Sequence, residues 1–228
     1  MLATCAPAAR GQDADLARIE RLYAGRAGDD WGVRNRFAGA HRGPFWRRLV
    51  ARTGARTLLE VGCNSGANLR HLPPAVRGVG VDVNITALHL LRARTAAAPV
   101  VASAAALPFA AATFDLVLTA GLLMHIPAAA FAAVVQELAR VSRTWLLLAE
   151  YDDTTEREIP WHGCAGATAA LWARPFGLLA WQACPALQPV ARGQLGRVDG
   201  FDDLTWCLFR HAAAAGGARK EGRWLTTP

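Results

Sequence analysis

The 228-residue sequence predicts a doubly wound α/β domain with a mainly parallel, seven-stranded sheet and an antiparallel strand at one edge. Three observations carry that expectation. Short, continuously apolar segments alternate with helix-like segments over residues 57–149, the pattern of a parallel sheet covered on both faces. A glycine turn follows the first apolar segment, and an acid ends the second. After Glu150 the alternation stops, and two strand-like runs follow.

Asp13 followed by Leu16, Ile19 and Leu22 reads as a capped amphipathic helix, broken over residues 25–31. Residues 44–53 form a second helix with Phe45, Trp46, Leu49 and Val50 on its apolar side, stopped by Gly54. Strands are expected over 57–61, 78–83, 100–102, 114–119 and 145–149. Helices are expected to start at 67–72 and to cover 86–94 and 127–141, the last with Phe131, Val134, Val135 and Leu138 facing inward. Residues 154–167 read as loop, and 171–182 as a short aromatic helix interrupted by Pro175. Runs at 190–193 and 204–209 make a closing hairpin at the sheet edge. The organisation is thus an N-terminal helical lid (1–53), a core (54–151), and a substrate loop, helix and hairpin of the same domain (152–228).

With 53% hydrophobic and 19% charged residues, the chain has the composition of one well-buried soluble domain. Its longest weakly polar run, 119–135, contains His125 and Pro127 and is better explained by two buried elements than by a membrane span. Residues 1–10 lack the charged-then-apolar order of a signal peptide, so a cytoplasmic location is the default expectation. Five scattered cysteines without a CxxC pair favour packed thiols over a metal site or disulfides. The net charge of +7 is spread over arginines along the whole chain, with Lys220 the single lysine, which argues against a nucleic-acid stripe. A small-molecule substrate is expected, and nothing in the sequence sets the oligomeric state.

The strongest local signal is Leu58-Leu59-Glu60-Val61-Gly62-Cys63-Asn64-Ser65-Gly66-Ala67-Asn68-Leu69. It combines a strand end, an acid, a Gly-x-x-x-Gly turn and a helix start. Gly62 and Gly66 let the backbone pass close to a ligand, and a helix start offers N–H groups to a carboxylate. Asp82 ends the next strand, in Gly80-Val81-Asp82-Val83, 22 residues after Glu60. An acid there can accept both ribose hydroxyls of a nucleoside cofactor; capping the next helix is the plainer alternative. Dinucleotide binding normally wants Gly-x-Gly-x-x-Gly, and Cys63 and Asn64 leave only two glycines here.

These segments resemble motifs I and II of the class I S-adenosylmethionine (SAM)-dependent methyltransferases, a Rossmann-like fold. Ala106-Leu107-Pro108-Phe109 with Thr113-Phe114-Asp115-Leu116-Val117 resembles a further stretch of that superfamily. The resemblance implies SAM as cofactor, held by Glu60, Gly62, Asn64, Gly66, Asp82, Val83, Ser103, Ala104 and Thr119. At the position of Ser103 the superfamily often has an aspartate that reads the adenine amine, and Ala104 would substitute only through its backbone. A narrower resemblance covers most of the chain. Tyr23-Ala24-Gly25, Gly28-Asp29-Asp30, Arg34-Asn35, Ala149-Glu150-Tyr151, residues 158–163 and Asp202-Asp203-Leu204-Thr205-Trp206 are similar to methylases associated with pseudaminic acid biosynthesis.

For the reaction itself, His125 follows the fourth strand at the sheet edge where ligands bind. It is either a base for an acceptor or a histidine hydrogen-bonded under the cofactor. Glu150, Tyr151, Asp152 and Asp153 end the fifth strand, as candidates to orient an acceptor or as solvated loop residues. Trp161 and His162 are placed to close over a sulfonium, since an aromatic face attracts a cation by roughly 0.5–2 kcal/mol, or else to cover the core. Asp202 and Asp203 either bind an amine or cap a turn, and Trp206 reads as core. The catalytic candidates are therefore His125, Tyr151, Trp161 and Asp203, with no metal. The function implied is methyl transfer from SAM to a small biosynthetic metabolite. Two alternatives stay open: cyclisation of SAM itself to azetidine-2-carboxylate and methylthioadenosine, and a non-catalytic SAM-binding module.

Overall fold

The structure, a computed structural model, describes residues 9–34, 41–159 and 171–212. Seven strands form one sheet, in the order β3-β2-β1-β4-β5-β9-β8. They are β1 (Thr57–Val61), β2 (Arg77–Asp82), β3 (Ala98–Val101), β4 (Phe114–Ala120), β5 (Ser142–Glu150), β8 (Leu187–Leu195) and β9 (Leu204–His211). Strands β1 to β5 pair in parallel, and β9 runs antiparallel to both β5 and β8. The single antiparallel strand thus lies in the hairpin that closes one edge. Strand order reverses between β1 and β4, which opens a crevice at their carboxyl ends.

Each face of the sheet has its own core, because alternate residues of a strand point to opposite faces. Leu59, Val61, Val117, Leu146 and Leu148 pack with α5 (Ala128–Val141) and α6 (Phe176–Ala183). Leu58, Leu116, Leu118 and Leu147 pack with α3 (Gly43–Thr53) and α4 (Ile85–Arg94). Glu60 shares the second face with Leu58 and is buried there.

Four local expectations need correcting. Gly25 does end the first helix, α1 (Ala9–Ala24), but the break is this single turn: residues 26–31 belong to a second helix, α2 (Arg26–Arg34). The Asn84 amide donates to the Tyr23 carbonyl and to Asp29 Oδ1, both at 3.0 Å, and this docking overrides the poor helix propensity of the glycines. The helix expected from 67–72 is a single 3-10 turn, Leu69–His71. Pro73 and Pro74 force Leu72 into an extended conformation, which ends it. Within 154–167, Arg157–Ile159 is a strand, β6, paired antiparallel with β7 (Leu171–Ala173). The segment 171–182 therefore begins as strand, and α6 starts only after Pro175, whose ring cannot sit inside a helix. Among the described residues no helix is long and apolar enough to cross a membrane.

Candidate functional site

The carboxyl ends of β1, β2, β4 and β5 open into a cleft divided into two hollows, both open to solvent. Trp31, Gly62, Asn64 and Gly121 line both and form the division between them. Gly62 has φ +74°, and a Cβ there would meet the Leu122 side chain at 2.9 Å. Backbone at this point can turn into the cleft only because the residue is glycine.

The first hollow lies between β2 and the N-terminal helices. Asp82 Oδ2 accepts the Asn64 N–H at 2.8 Å, and Oδ1 accepts the Asn84 N–H at 2.9 Å. The carboxylate is thus fixed by the turns after β1 and β2. The plain helix-capping role belongs to Asn84, whose side chain accepts the Ala87 N–H at 2.7 Å. Val83 and Ala104 line the hollow, while Leu16, Ile19, Glu20 and Tyr23 of α1 cover it.

The second hollow lies between β1, α3 and the hairpin. Asn68 Nδ2 donates to Glu60 Oε1 at 2.5 Å, and Arg42 donates to Asn68 Oδ1 at 2.8 Å. Glu60 Oε2 is buried and has no hydrogen-bond partner among the described residues. Burial pushes the Glu60 carboxyl up to about 8, against the opposing pull of Asn68 and Arg42. Arg42 also donates to the Gly200 carbonyl at 2.8 Å and stacks on Phe201, so the start of α3 is tied to the hairpin. Tyr151 and Asp202 complete the wall.

Other sequence candidates are placed differently. Gly66 (φ +79°) lines neither hollow; a Cβ there would press on Thr95 and Leu91 at 3.0–3.2 Å, so it serves the turn and its packing on α4. Thr119 is fully buried and donates to Glu150 Oε1 at 2.8 Å. Glu150 in turn accepts the N–H groups of Leu122 and Leu123, which pins the loop after β4. Ser103 does not itself line either hollow: its hydroxyl donates to Glu20 Oε1, a residue that does line the first, at 2.5 Å and accepts the Ala105 N–H at 3.0 Å. Asp203 is exposed at φ +49°, and its neighbour Asp202 is the one that reaches the second hollow. Trp161 and His162 lie outside the described residues. His125 lines the first hollow, with the Tyr23 and Trp31 rings edge-on at 4.6 and 5.5 Å. Burial lowers its imidazole to about 3, so it is neutral at physiological pH.

Residues 59–144 match the family described as a methyltransferase domain. The chain has the class I methyltransferase fold. Among solved structures with this methyltransferase fold, one similar to the chain is a 1,6-didemethyltoxoflavin N1-methyltransferase from Burkholderia thailandensis, bound to 1,6-didemethyltoxoflavin and S-adenosylhomocysteine. It is 18% identical, with a TM-score of 0.64 over 92% of this chain and 93% of that one. A magnesium protoporphyrin IX methyltransferase from Synechocystis, bound to S-adenosylhomocysteine, is 12% identical, with a TM-score of 0.64 over 86% and 99% of the two chains. A putative sarcosine dimethylglycine methyltransferase from Galdieria sulphuraria is 14% identical, with a TM-score of 0.54 over 74% and 84%. No curated protein sequence matches.

Sequence reasoning missed Arg42, Asn68 and Asn84 as parts of this cleft. Asn68 and Asn84 stand beside the recognised motifs, where an amide two residues from a turn glycine or acid is a usable signal. Arg42 is one arginine among many and carries no such mark.

The buried acids give a pH prediction. The folded-state pKa values of Glu60 and Glu150 are raised, to about 8 and about 7. Their stabilisation is therefore complete below the unfolded carboxylate value and is lost as pH rises through those two values. His125 acts oppositely, but only between about 3 and 6.5. From pH 6.5 to 8 the carboxylates dominate, so Tm of the ligand-free chain should fall over that interval. Glu60→Gln should flatten the fall; an identical slope in thermal melts would contradict the assignment.

Proposed function

We propose that the chain is a SAM-dependent methyltransferase acting on a small biosynthetic metabolite. The observation that carries this reading is the pair of acids on adjacent strand ends, Glu60 and Asp82, separated by the close-approach turn at Gly62. Glu60 keeps one buried oxygen without a partner, a place for an ammonium group. Each Asp82 oxygen accepts one backbone N–H and retains capacity for another hydrogen bond, one per ribose hydroxyl. The guanidinium of Arg42, fixed by Asn68 and Gly200, supplies a positive partner for a carboxylate in the same hollow. An amino-acid end in the second hollow and a nucleoside in the first meet at Gly62, Asn64 and Gly121.

When bound, SAM supplies a methyl group already activated on a sulfonium. The residues of the chain then have to align an acceptor and exclude water, and alignment alone can contribute on the order of 7–11 kcal/mol. Tyr151, on the wall of the second hollow, orients the acceptor. His125, neutral and packed between Tyr23 and Trp31, positions the cofactor rather than removing a proton. The resemblance to pseudaminic acid-associated methylases, and the small ligand named for the Burkholderia neighbour, support a small metabolite as acceptor.

The test is mass spectrometry of small molecules after incubation with SAM, alone and with metabolite extracts. Acceptor-dependent S-adenosylhomocysteine and a product heavier by one methyl are expected. Rapid methylthioadenosine release from SAM alone would replace methyl transfer with cyclisation. A second expectation concerns the N-terminal helices, which cover the first hollow: hydrogen exchange in residues 20–34 should slow when cofactor is added. Equal protection with and without it would remove their role as a lid.

A further inference from the structure

The first hollow holds two carboxylates of different purpose. Asp82 is fixed by backbone N–H groups at the end of β2. Glu20 comes from α1, where Leu16, Ile19, Glu20 and Tyr23 form one helical face and all four line the hollow. An acid in the middle of an otherwise apolar, inward-facing stripe is costly unless something pairs with it. Ser103 pairs with half of it, donating to Oε1 at 2.5 Å, and this bond fixes the carboxylate over the end of β3. Ala102 and Ala104 beside it also line the hollow and add no further side-chain acid at that point.

We infer that Glu20 reads the exocyclic amine of the cofactor's adenine. The inference rests on the SAM reading above and specifies how that site selects its base. Strand order gives the geometry: β1, β2 and β3 are consecutive neighbours, and Asp82 pairs in register with Val101, two residues before Ser103. Moving outward by about 4.8 Å per strand, the acids at β1, β2 and over β3 face the amino-acid end, the ribose and the base in turn. Val81, Val83, Ile19 and Leu122 give the ring its apolar walls. A carboxylate offers acceptors only. It therefore favours a 6-amino purine over a 6-oxo purine, whose carbonyl oxygen would meet it with like partial charge. Ser103 acts as a positioning residue, holding Glu20 from a helix that is 83 residues away in sequence.

Titration calorimetry of the full chain with S-adenosylhomocysteine and with its hypoxanthine analogue, S-inosylhomocysteine, tests this. The wild-type chain should prefer the adenine ligand by about tenfold to a hundredfold, the worth of one charge-assisted hydrogen bond. Glu20→Ala should weaken the adenine ligand by a similar factor and bring the preference close to one. Glu20→Gln, whose amide can turn to donate to a 6-oxo group, should also lower the preference while keeping the helix face filled. Thermal melts of the ligand-free variants check that α1 stays docked. An undiminished preference in both variants, or equal wild-type affinity for the two ligands, overturns the role of Glu20. Absence of any wild-type binding to S-adenosylhomocysteine would instead overturn the SAM reading, so the two failures are distinct.

Discussion

Asp82→Ala should weaken binding of S-adenosylhomocysteine by about 3 kcal/mol, roughly a hundredfold, measured by titration calorimetry. On the proposed function, two hydrogen bonds from ribose hydroxyls to a carboxylate are lost. A second cost follows from the structure: Asp82 also holds the Asn64 and Asn84 N–H groups at 2.8 and 2.9 Å, so both cleft turns lose their anchor. Burial raises the Asp82 pKa, with the backbone N–H groups of Asn84 and Asn64 opposing. Asp82→Asn keeps the size but places an amide NH2 against one of those donors, and should fall between wild type and alanine. Unchanged affinity in the alanine variant would remove Asp82 from the site.

Trp46→Ala should cost about 3–5 kcal/mol of stability, the range for deleting a buried aromatic side chain. For a chain of this size that corresponds to a Tm lower by roughly 10 °C. Trp46 is 1% exposed and stands between Phe45 and Phe201, with ring centroids at 4.9 and 6.2 Å. It fastens α3 to the second face of the sheet, and Arg42 leads directly into that helix. Its indole N–H has no hydrogen-bond partner among the described residues. Trp46→Phe should therefore be far milder, because no polar bond is lost. Equal losses for Phe and Ala would show that volume is not what the site requires.

The strands of the sheet and the two acids of the cleft were legible because their signals are local. A five-residue strand ending in Glu60-Val61, a glycine turn and an acid on the next strand are all read within some 25 residues. The closing hairpin was legible in place but short in length, since strand ends carry polar residues such as Gln188 and Gln194. Contacts between distant parts of the chain were not legible. Arg42 meets Gly200 across 158 positions and Asn68 across 26, and nothing in the neighbourhood of any of these residues records the pairing. Serine at 103 pointed to a missing base contact, but the acid that reaches it comes from the first helix. The helix α2 failed as a prediction for the same reason: its glycines oppose a helix locally, and the Asn84 amide supplies the support from another element. Conversely, the shortness of the helical turn after residue 67 is written locally, in Pro73-Pro74.

On the proposed function, SAM occupies the cleft across the ends of β1 and β2. Calorimetric titration of the purified chain with S-adenosylhomocysteine tests it most directly, with Asp82→Ala as the paired variant. One saturable site per chain, lost or greatly weakened in the variant, is the predicted result. No saturable binding at millimolar ligand, or binding indifferent to Asp82, would contradict it.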